Sequence, residues 1–422
     1  MNSTRLRPVR SVRKVMLYSH DTYGLGHLRR NLRIANHLLS QGDWLRIVLV
    51  SGSSVAGAFP IPPGLTVVKL PSVRKVGAEL YQPVNPALSI GLIRRTRTAI
   101  MADVVRRFRP DLLLVDHSPA GMNGELRGVF DAVGEHSPAT RVVLGLRDVL
   151  DDPATVAKMW TEQDIYPLLE EMYDEILVYG SREVFDVGRQ YRLPLRLQQR
   201  LRYTGYLGPA GAHNLDGAVR PGQAGRPYLL ATAGGGGDGV EVLSAAMEAG
   251  ALLGLATKVI TGPLIDDSDF ETLDRLAGRT AGVELVRFHP HLRAAMAGAA
   301  AVVTMGGYNS LCEAISVRVP TFVVPRCHPR LEQTIRARLF AERGLVDVVS
   351  PGPGLGARIA RAVAAGAPPS GNPIDLGGLD RLAALVLGDE TSRCQPVPAR
   401  TCRPQPFPRP SHGLSVSDGQ SA

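Results

Sequence analysis

A chain of 422 residues is too long for one ordinary hydrophobic core and suits two domains. With 44% hydrophobic and 21% charged residues it reads as a soluble globular protein, and no apolar run reaches the ~18 residues that span a bilayer. The net charge of +9 calls for an anionic partner, but aromatics are only 5% and do not interleave with basic residues, which argues against nucleic acid. An anionic substrate or a peripheral contact with anionic lipid remains.

The N-terminal stretch MNSTRLRPVRSVRK is basic but has no apolar core of a signal peptide, so a cytoplasmic protein is expected. KVMLYS then reads as a buried strand, and LRRNLRIANHLLSQG as an amphipathic helix ended by Gly42. LRIVLVSG and LTVVKLPS follow as strands. A long helix, GLIRRTRTAIMADVVRRFRP, is halted by Pro110 before the strands DLLLVDH and RVVLGLRD. EILVYGS and RYTGYLG close this half.

Residues 206–227 have the Gly, Ala and Pro composition of a linker. A second alternating series begins at PYLLATAGGGGDG and continues through LATKVITG, GVELVRF, AAAVVTMGG and TFVVPR. Short apolar strands alternating with helices imply parallel sheets covered on both faces. The expected organisation is therefore an α/β domain over 12–205, a linker over 206–227, a second α/β domain over 228–388, and a disordered Pro-rich tail over 389–422. Four cysteines without metal spacing (Cys312, Cys327, Cys394, Cys402) read as reduced thiols.

Open parallel sheets bind ligands beyond the carboxyl ends of their strands. Three stretches fall at such ends: YSHDTYGLGH, TAGGGGDG and TMGGYNS. Glycine lets backbone N–H groups approach a phosphate, and a following helix N-terminus adds partial positive charge. Each stretch taken singly is also an ordinary tight turn. In the third, Ser310 and Glu313 have capping-box spacing, so Glu313 reads equally as a cap or as a ligand contact.

The segment 288–333, FHPHLRAAMAGAAAVVTMGGYNSLCEAISVRVPTFVVPRCHPRLEQ, resembles the donor-binding box of GT-B glycosyltransferases. It is similar both to the plant UDP-glycosyltransferase box and to the C-terminal domain of the bacterial GlcNAc transferase that completes lipid II. The resemblance implies two Rossmann-like domains facing across a cleft, the donor in the second and the acceptor in the first. It implies that Phe288 stacks on the nucleobase, with Pro290 and His291 beside it. Gly306, Gly307, Asn309 and Ser310 would form the diphosphate-facing turn, Glu313 would bind ribose hydroxyls, and Glu332 with Gln333 would bind the hexose. Gly234, Gly235, Gly236, Gly237 and Asp238 correspond to the glycine loop of the donor domain. Met305 stands where the plant box has a phosphate-binding His, and His291 where it has Gln. In that family the first-half turn carries the general base, a role that falls on His27, with Asp116 holding its tautomer; His20 and Asp21 crowd the same turn.

The implied activity is transfer of a hexose-type sugar from a nucleoside diphosphate sugar to an unidentified acceptor, through a hydroxyl or similar nucleophile, inverting, with no metal or other cofactor. A nucleotide-sugar epimerase or hydrolase, or a non-catalytic nucleotide-sugar-binding subunit, would share the same donor site. Arg147 and Asp148 are further candidates to face the acceptor. Asp267-Ser268-Asp269 has the D-x-D metal pattern of another glycosyltransferase fold but reads here as a solvated loop.

Overall fold

A computed structural model describes residues 13–20, 25–77, 80–209, 226–235, 237–289, 291–366 and 374–388. Asp21, Gly236, Pro290, Cys394, Cys402 and the tail 389–422 lie outside the described residues.

The first half opens with β1 (Arg13–Ser19), α1 (Gly26–Leu39), β2 (Leu45–Ser51) and β3 (Leu65–Lys69). An antiparallel hairpin of β4 (Val73–Gly77) and β5 (Leu80–Pro83) follows, then α2 (Ile90–Phe108), β6 (Leu112–Asp116) and α3 (Arg127–His136). The half ends through β7 (Arg141–Arg147), α4 (Pro153–Glu162), α5 (Ile165–Met172), β8 (Glu175–Tyr179), α6 (Val187–Gln190), α7 (Leu195–Gln198) and β9 (Leu201–Tyr203).

The second half starts with β10 (Tyr228–Thr232), α8 (Val240–Leu253), β11 (Ala256–Ile260), α9 (Asp267–Ala277) and β12 (Val283–Val286). It continues through α10 (Leu292–Gly298), β13 (Ala301–Thr304), α11 (Tyr308–Ser316), β14 (Thr321–Val323) and α12 (Glu332–Ala341). Last come β15 (Asp347–Val348), α13 (Leu355–Ala365) and α14 (Gly378–Leu387).

Both main sheets are parallel and share one topology. The first has the order β3-β2-β1-β6-β7-β8-β9 and the second β12-β11-β10-β13-β14-β15. Each chain half starts in the middle of its sheet, winds outward on one side, and then crosses over to the other. The switch points lie between β1 and β6 and between β10 and β13, and their carboxyl ends are where such sheets hold ligands. Near-continuous apolar runs make this possible: all of β6 and β13 is buried, as a sheet clothed by helices on both faces requires.

Local chemistry sets several boundaries. Ser89 caps α2 by accepting from the Leu92 N–H at 3.1 Å. Asp152 caps α4, whose first residue is Pro153, where a missing N–H costs nothing. The hairpin β4–β5 and the pair α4–α5 were not legible as elements.

Packing departs from chain order at two places. Tyr206 and Leu207, expected within the linker, are fully buried, and the Leu207 N–H donates to the Tyr308 hydroxyl at 2.9 Å. The segment 374–388, expected to belong to the second domain, returns to the first. Leu379, Leu382 and Val386 join the core that holds Ala35 and Leu38 of α1. Arg141 Nη1 donates to the Leu385 carbonyl at 3.0 Å, and His37 Nε2 lies 3.1 Å from Asp380 Oδ1. The apolar face of α14 is completed by the first half, α1 included, whatever its place in sequence.

Candidate active site

A cavity of about 720 Å³ separates the two halves, lined from one side by residues following β1, β6 and β7 and from the other by residues following β10, β13 and β14. Both switch points therefore open into one space. Its volume is in the range of cofactor-sized ligand pockets.

On the first side, His27 lies on the opening turn of α1 and lines the cavity, with its side chain 17% exposed. Its Nδ1 is 2.6 Å from Oδ2 of Asp116, the last residue of β6. Arg30, one turn further along α1, grips the same carboxylate through Nε (2.9 Å) and Nη2 (2.8 Å). The Asp116 carboxyl is pushed up by burial, but Arg30 and His27 outweigh that and hold it below the usual range. Burial lowers the His27 pKa, and the nearby Arg30 and Arg147 charges add to the effect against the opposing pull of Asp116. A neutral imidazole with its Nδ1–H directed at Asp116 keeps the Nε2 lone pair, the form a general base needs.

Two more imidazoles adjoin it. His117 follows Asp116 at a left-handed φ of 69°, its ring centroid 5.1 Å from that of His27, and His20 is 5.7 Å from His27. Burial, then Arg147, keeps His117 well below an ordinary histidine. His20 Nδ1 is 3.2 Å from the Tyr18 hydroxyl, which donates to Glu125, itself gripped by Arg97. His20 is thus tied into a buried network, whereas His27 carries the carboxylate partner.

On the second side, Gly306 ends the β13 turn at φ 84°, and a Cβ there would come 2.8 Å from Val323 Cγ1, so only glycine fits. Gly234, Gly235, Gly237, Asp238, Gly307, Asn309, Ser310, Glu332 and Gln333 all line the cavity. Phe288, His291, Gly306 and Glu313 do not. Phe288 is 46% exposed and meets Phe59 of the first half edge-on at 6.2 Å. His291 precedes α10, its backbone N–H donating to His289 Nδ1 at 3.2 Å.

The capping-box alternative does not hold. The helix starts at Tyr308 with Gly307 as N-cap and no side-chain cap, which places Glu313 on its second turn. Glu313 is instead buried, and its Oε1 accepts from Arg29 Nη2 (2.8 Å) and Arg33 Nη2 (2.7 Å) of α1. Asn309 also reaches across, donating from Nδ2 to the Gly26 carbonyl at 3.0 Å. The α11 side chains expected at the donor thus hold the first half as well.

Of the charges in the cavity, Arg147 and Glu332 were expected there from sequence, whereas Arg326 and Arg330 were not. Arg147 Nη2 lies 2.7 Å from Glu332 Oε2, and this and other arginine charges bring the Glu332 carboxyl down to about 2 against the upward push of burial. Asp148 does not face the cavity. It is fully buried, bonded by Arg336 and by the Tyr206 hydroxyl. Arg326 and Arg330 also line the cavity. Their only sequence signal is position, just beyond the carboxyl end of an apolar strand in a parallel sheet. Asp267 sits on the first turn of α9 and pairs with Arg287 at 2.6 Å, so the D-x-D stretch is helical rather than loop. Cys312 and Cys327 are free thiols, and burial pushes Cys312 up to about 12. No helix among the described residues is long and apolar enough to cross a membrane.

No protein-family model and no curated protein matches the chain. Solved structures do. CalG4, the calicheamicin glycosyltransferase, aligns with a TM-score of 0.54 at 16% identity, over 90% of this chain and 96% of that one. MurG from Acinetobacter baumannii aligns at 0.51 and 13% identity, over 89% and 99%. A UDP-glucosyltransferase from Polygonum tinctorium aligns at 0.55 and 16% identity, over 84% and 90%. Similarity at this level establishes the architecture, the GT-B fold of two Rossmann-like domains facing across a cleft.

Proposed function

We propose that the protein is a glycosyltransferase that moves a hexose-type sugar from a nucleoside diphosphate sugar to a hydroxyl acceptor, by direct displacement with inversion. The observation that carries this reading is the His27–Asp116 pair of the first half opening into the same cavity as the Gly307–Asn309–Ser310 turn of the second. The GT-B architecture shared with known glycosyltransferases supports it.

In this mechanism the acceptor oxygen attacks the anomeric carbon. The bond from that carbon to the diphosphate oxygen breaks, its electron pair leaves with the diphosphate, and the acceptor proton goes to His27 Nε2. Asp116 holds the imidazole in the required tautomer and stabilises the imidazolium that forms. The N-terminus of α11 and the glycine turn after β10 offer N–H groups and partial positive charge to the departing diphosphate. Glu332 and Gln333, at the head of α12, take the hexose hydroxyls.

The test is product analysis by mass spectrometry with a panel of nucleoside diphosphate sugars, with and without candidate acceptors. Acceptor-dependent appearance of a glycosylated product is expected. Donor consumption that ignores every acceptor would favour an epimerase or hydrolase, and tight donor binding with no turnover a non-catalytic subunit.

A further inference from the structure

We propose that Arg326 is a further catalytic residue, the cation that binds the diphosphate and takes up the charge of its departure, and that Asp238 occupies its guanidinium until the donor arrives. This rests on the transferase reading above. The β13 turn provides no cation itself: its cavity-lining residues are Met305, Gly307, Tyr308, Asn309 and Ser310.

Arg326 lies three residues beyond β14, and its backbone N–H donates to Gln333 Oε1 at 3.2 Å, which fixes it beside the head of α12. Its side chain reaches the other way: Nη1 donates to Asp238 Oδ2 at 2.7 Å, in the glycine turn after β10. Nη2 remains 3.7 Å from Glu332 Oε1, and Nε is buried with no hydrogen-bond partner. One guanidinium therefore spans the distance from the glycine turn to the residues expected at the sugar, the line along which a diphosphate must lie.

Asp238 puts a carboxylate at the place where the donor brings its own negative charge. The two anions compete for one cation. The Arg326–Asp238 pair is partly exposed, with side chains 27% and 43% accessible, and such pairs are weakly held. Exchange of the carboxylate for diphosphate oxygens is then favourable, since a guanidinium matches phosphate oxygens through two parallel N–H donors. When the anomeric carbon–oxygen bond breaks, the electron pair stays on the diphosphate, and Arg326 faces the added negative charge.

The experiment is calorimetric titration of the full chain with UDP, GDP and dTDP and with the matching monophosphates. Arg326→Gln should weaken diphosphate binding about 10- to 100-fold, and monophosphate binding less. Asp238→Asn should act in the opposite direction and tighten diphosphate binding. A merely structural ion pair loses the same contact in both variants, so binding changes of the same sign would overturn the proposal, as would unaltered diphosphate binding by Arg326→Gln. Melting temperatures of both variants report whether either has failed to fold, in which case Asp238→Asn or the milder Arg326→Lys decides. If the unsubstituted protein binds none of the diphosphates, the transferase reading falls and takes this proposal with it.

Discussion

His27 and Asp116 are separated by 89 residues in the chain and by 2.6 Å in the fold. Removing a general base typically costs about 10²–10⁴-fold in rate. His27→Ala should therefore abolish most transfer while nucleotide binding, which belongs mainly to the other half, changes little; near-normal turnover would move the base to another residue, with His20 next in line. Asp116→Asn should act in the same direction but less severely, because it misorients the imidazole without deleting it. Burial and the neighbouring arginines lower the His27 pKa beneath its ordinary 6.5, so the rate should hold on acidification through pH 6.5 and fall only below it. A rate–pH profile with its acid limb above 6.5 would contradict this assignment.

At the scale of elements, α1 and α11 meet through Arg29 and Arg33 on Glu313. The Glu313 carboxylate is buried, while its arginine partners are about a fifth exposed, so removing it leaves cations that water can partly reach. Glu313→Ala should lower stability by about 1–3 kcal/mol. Loss of stability with unchanged nucleotide affinity would make Glu313 a strut between the halves alone. With the glycine turns, the N-terminus of α11 and Arg326 holding the diphosphate as proposed, turnover should survive exhaustive EDTA treatment. Activity lost to EDTA and restored by Mn²⁺ or Mg²⁺ would assign the diphosphate charge to an ion instead. The stretch that leads into α2 has a different character: Leu80, Val84, Leu88 and Leu92 are exposed along the chain and are followed by exposed Arg94 and Arg95. Apolar side chains bordered by arginines suit an anionic lipid surface. If so, the protein should sediment with phosphatidylglycerol vesicles at low salt and Leu88→Asp with Leu92→Asp should release it; no sedimentation of the unsubstituted protein, or equal sedimentation of the variant, would remove this surface as a lipid contact.

For the whole molecule, burial of titratable groups links stability to pH. His27 and His117 have folded pKa values below the 6.5 of the unfolded chain, so the unfolded state binds more protons and stability falls as pH drops below about 6.5. Glu332, brought from 4.5 to about 2, adds a second loss as pH falls between those values, where the unfolded carboxylate is protonated and the folded one resists. The melting temperature should therefore decline on acidification, first gently and then more steeply below pH 4.5. A flat melting profile from pH 7 to pH 4 would be incompatible with these shifts.

Alternation of apolar strands and amphipathic helices was enough to read two parallel α/β halves, because a buried strand must be apolar along its length and a covering helix apolar along one face. The turns at the ends of β1, β10 and β13 were legible for the same reason: glycine and polar residues interrupt apolar runs there. Periodicity carries no information about which distant surfaces meet. That α14 completes the core beside α1, that Arg33 closes on Glu313 across 280 residues, and that Arg147 stands at Glu332 depend on complementary faces brought together only by folding. An arginine near a strand end looks the same in sequence whether it points to solvent or into a cavity; only tertiary packing, by burying it among carboxylates and other cations, makes it part of a site.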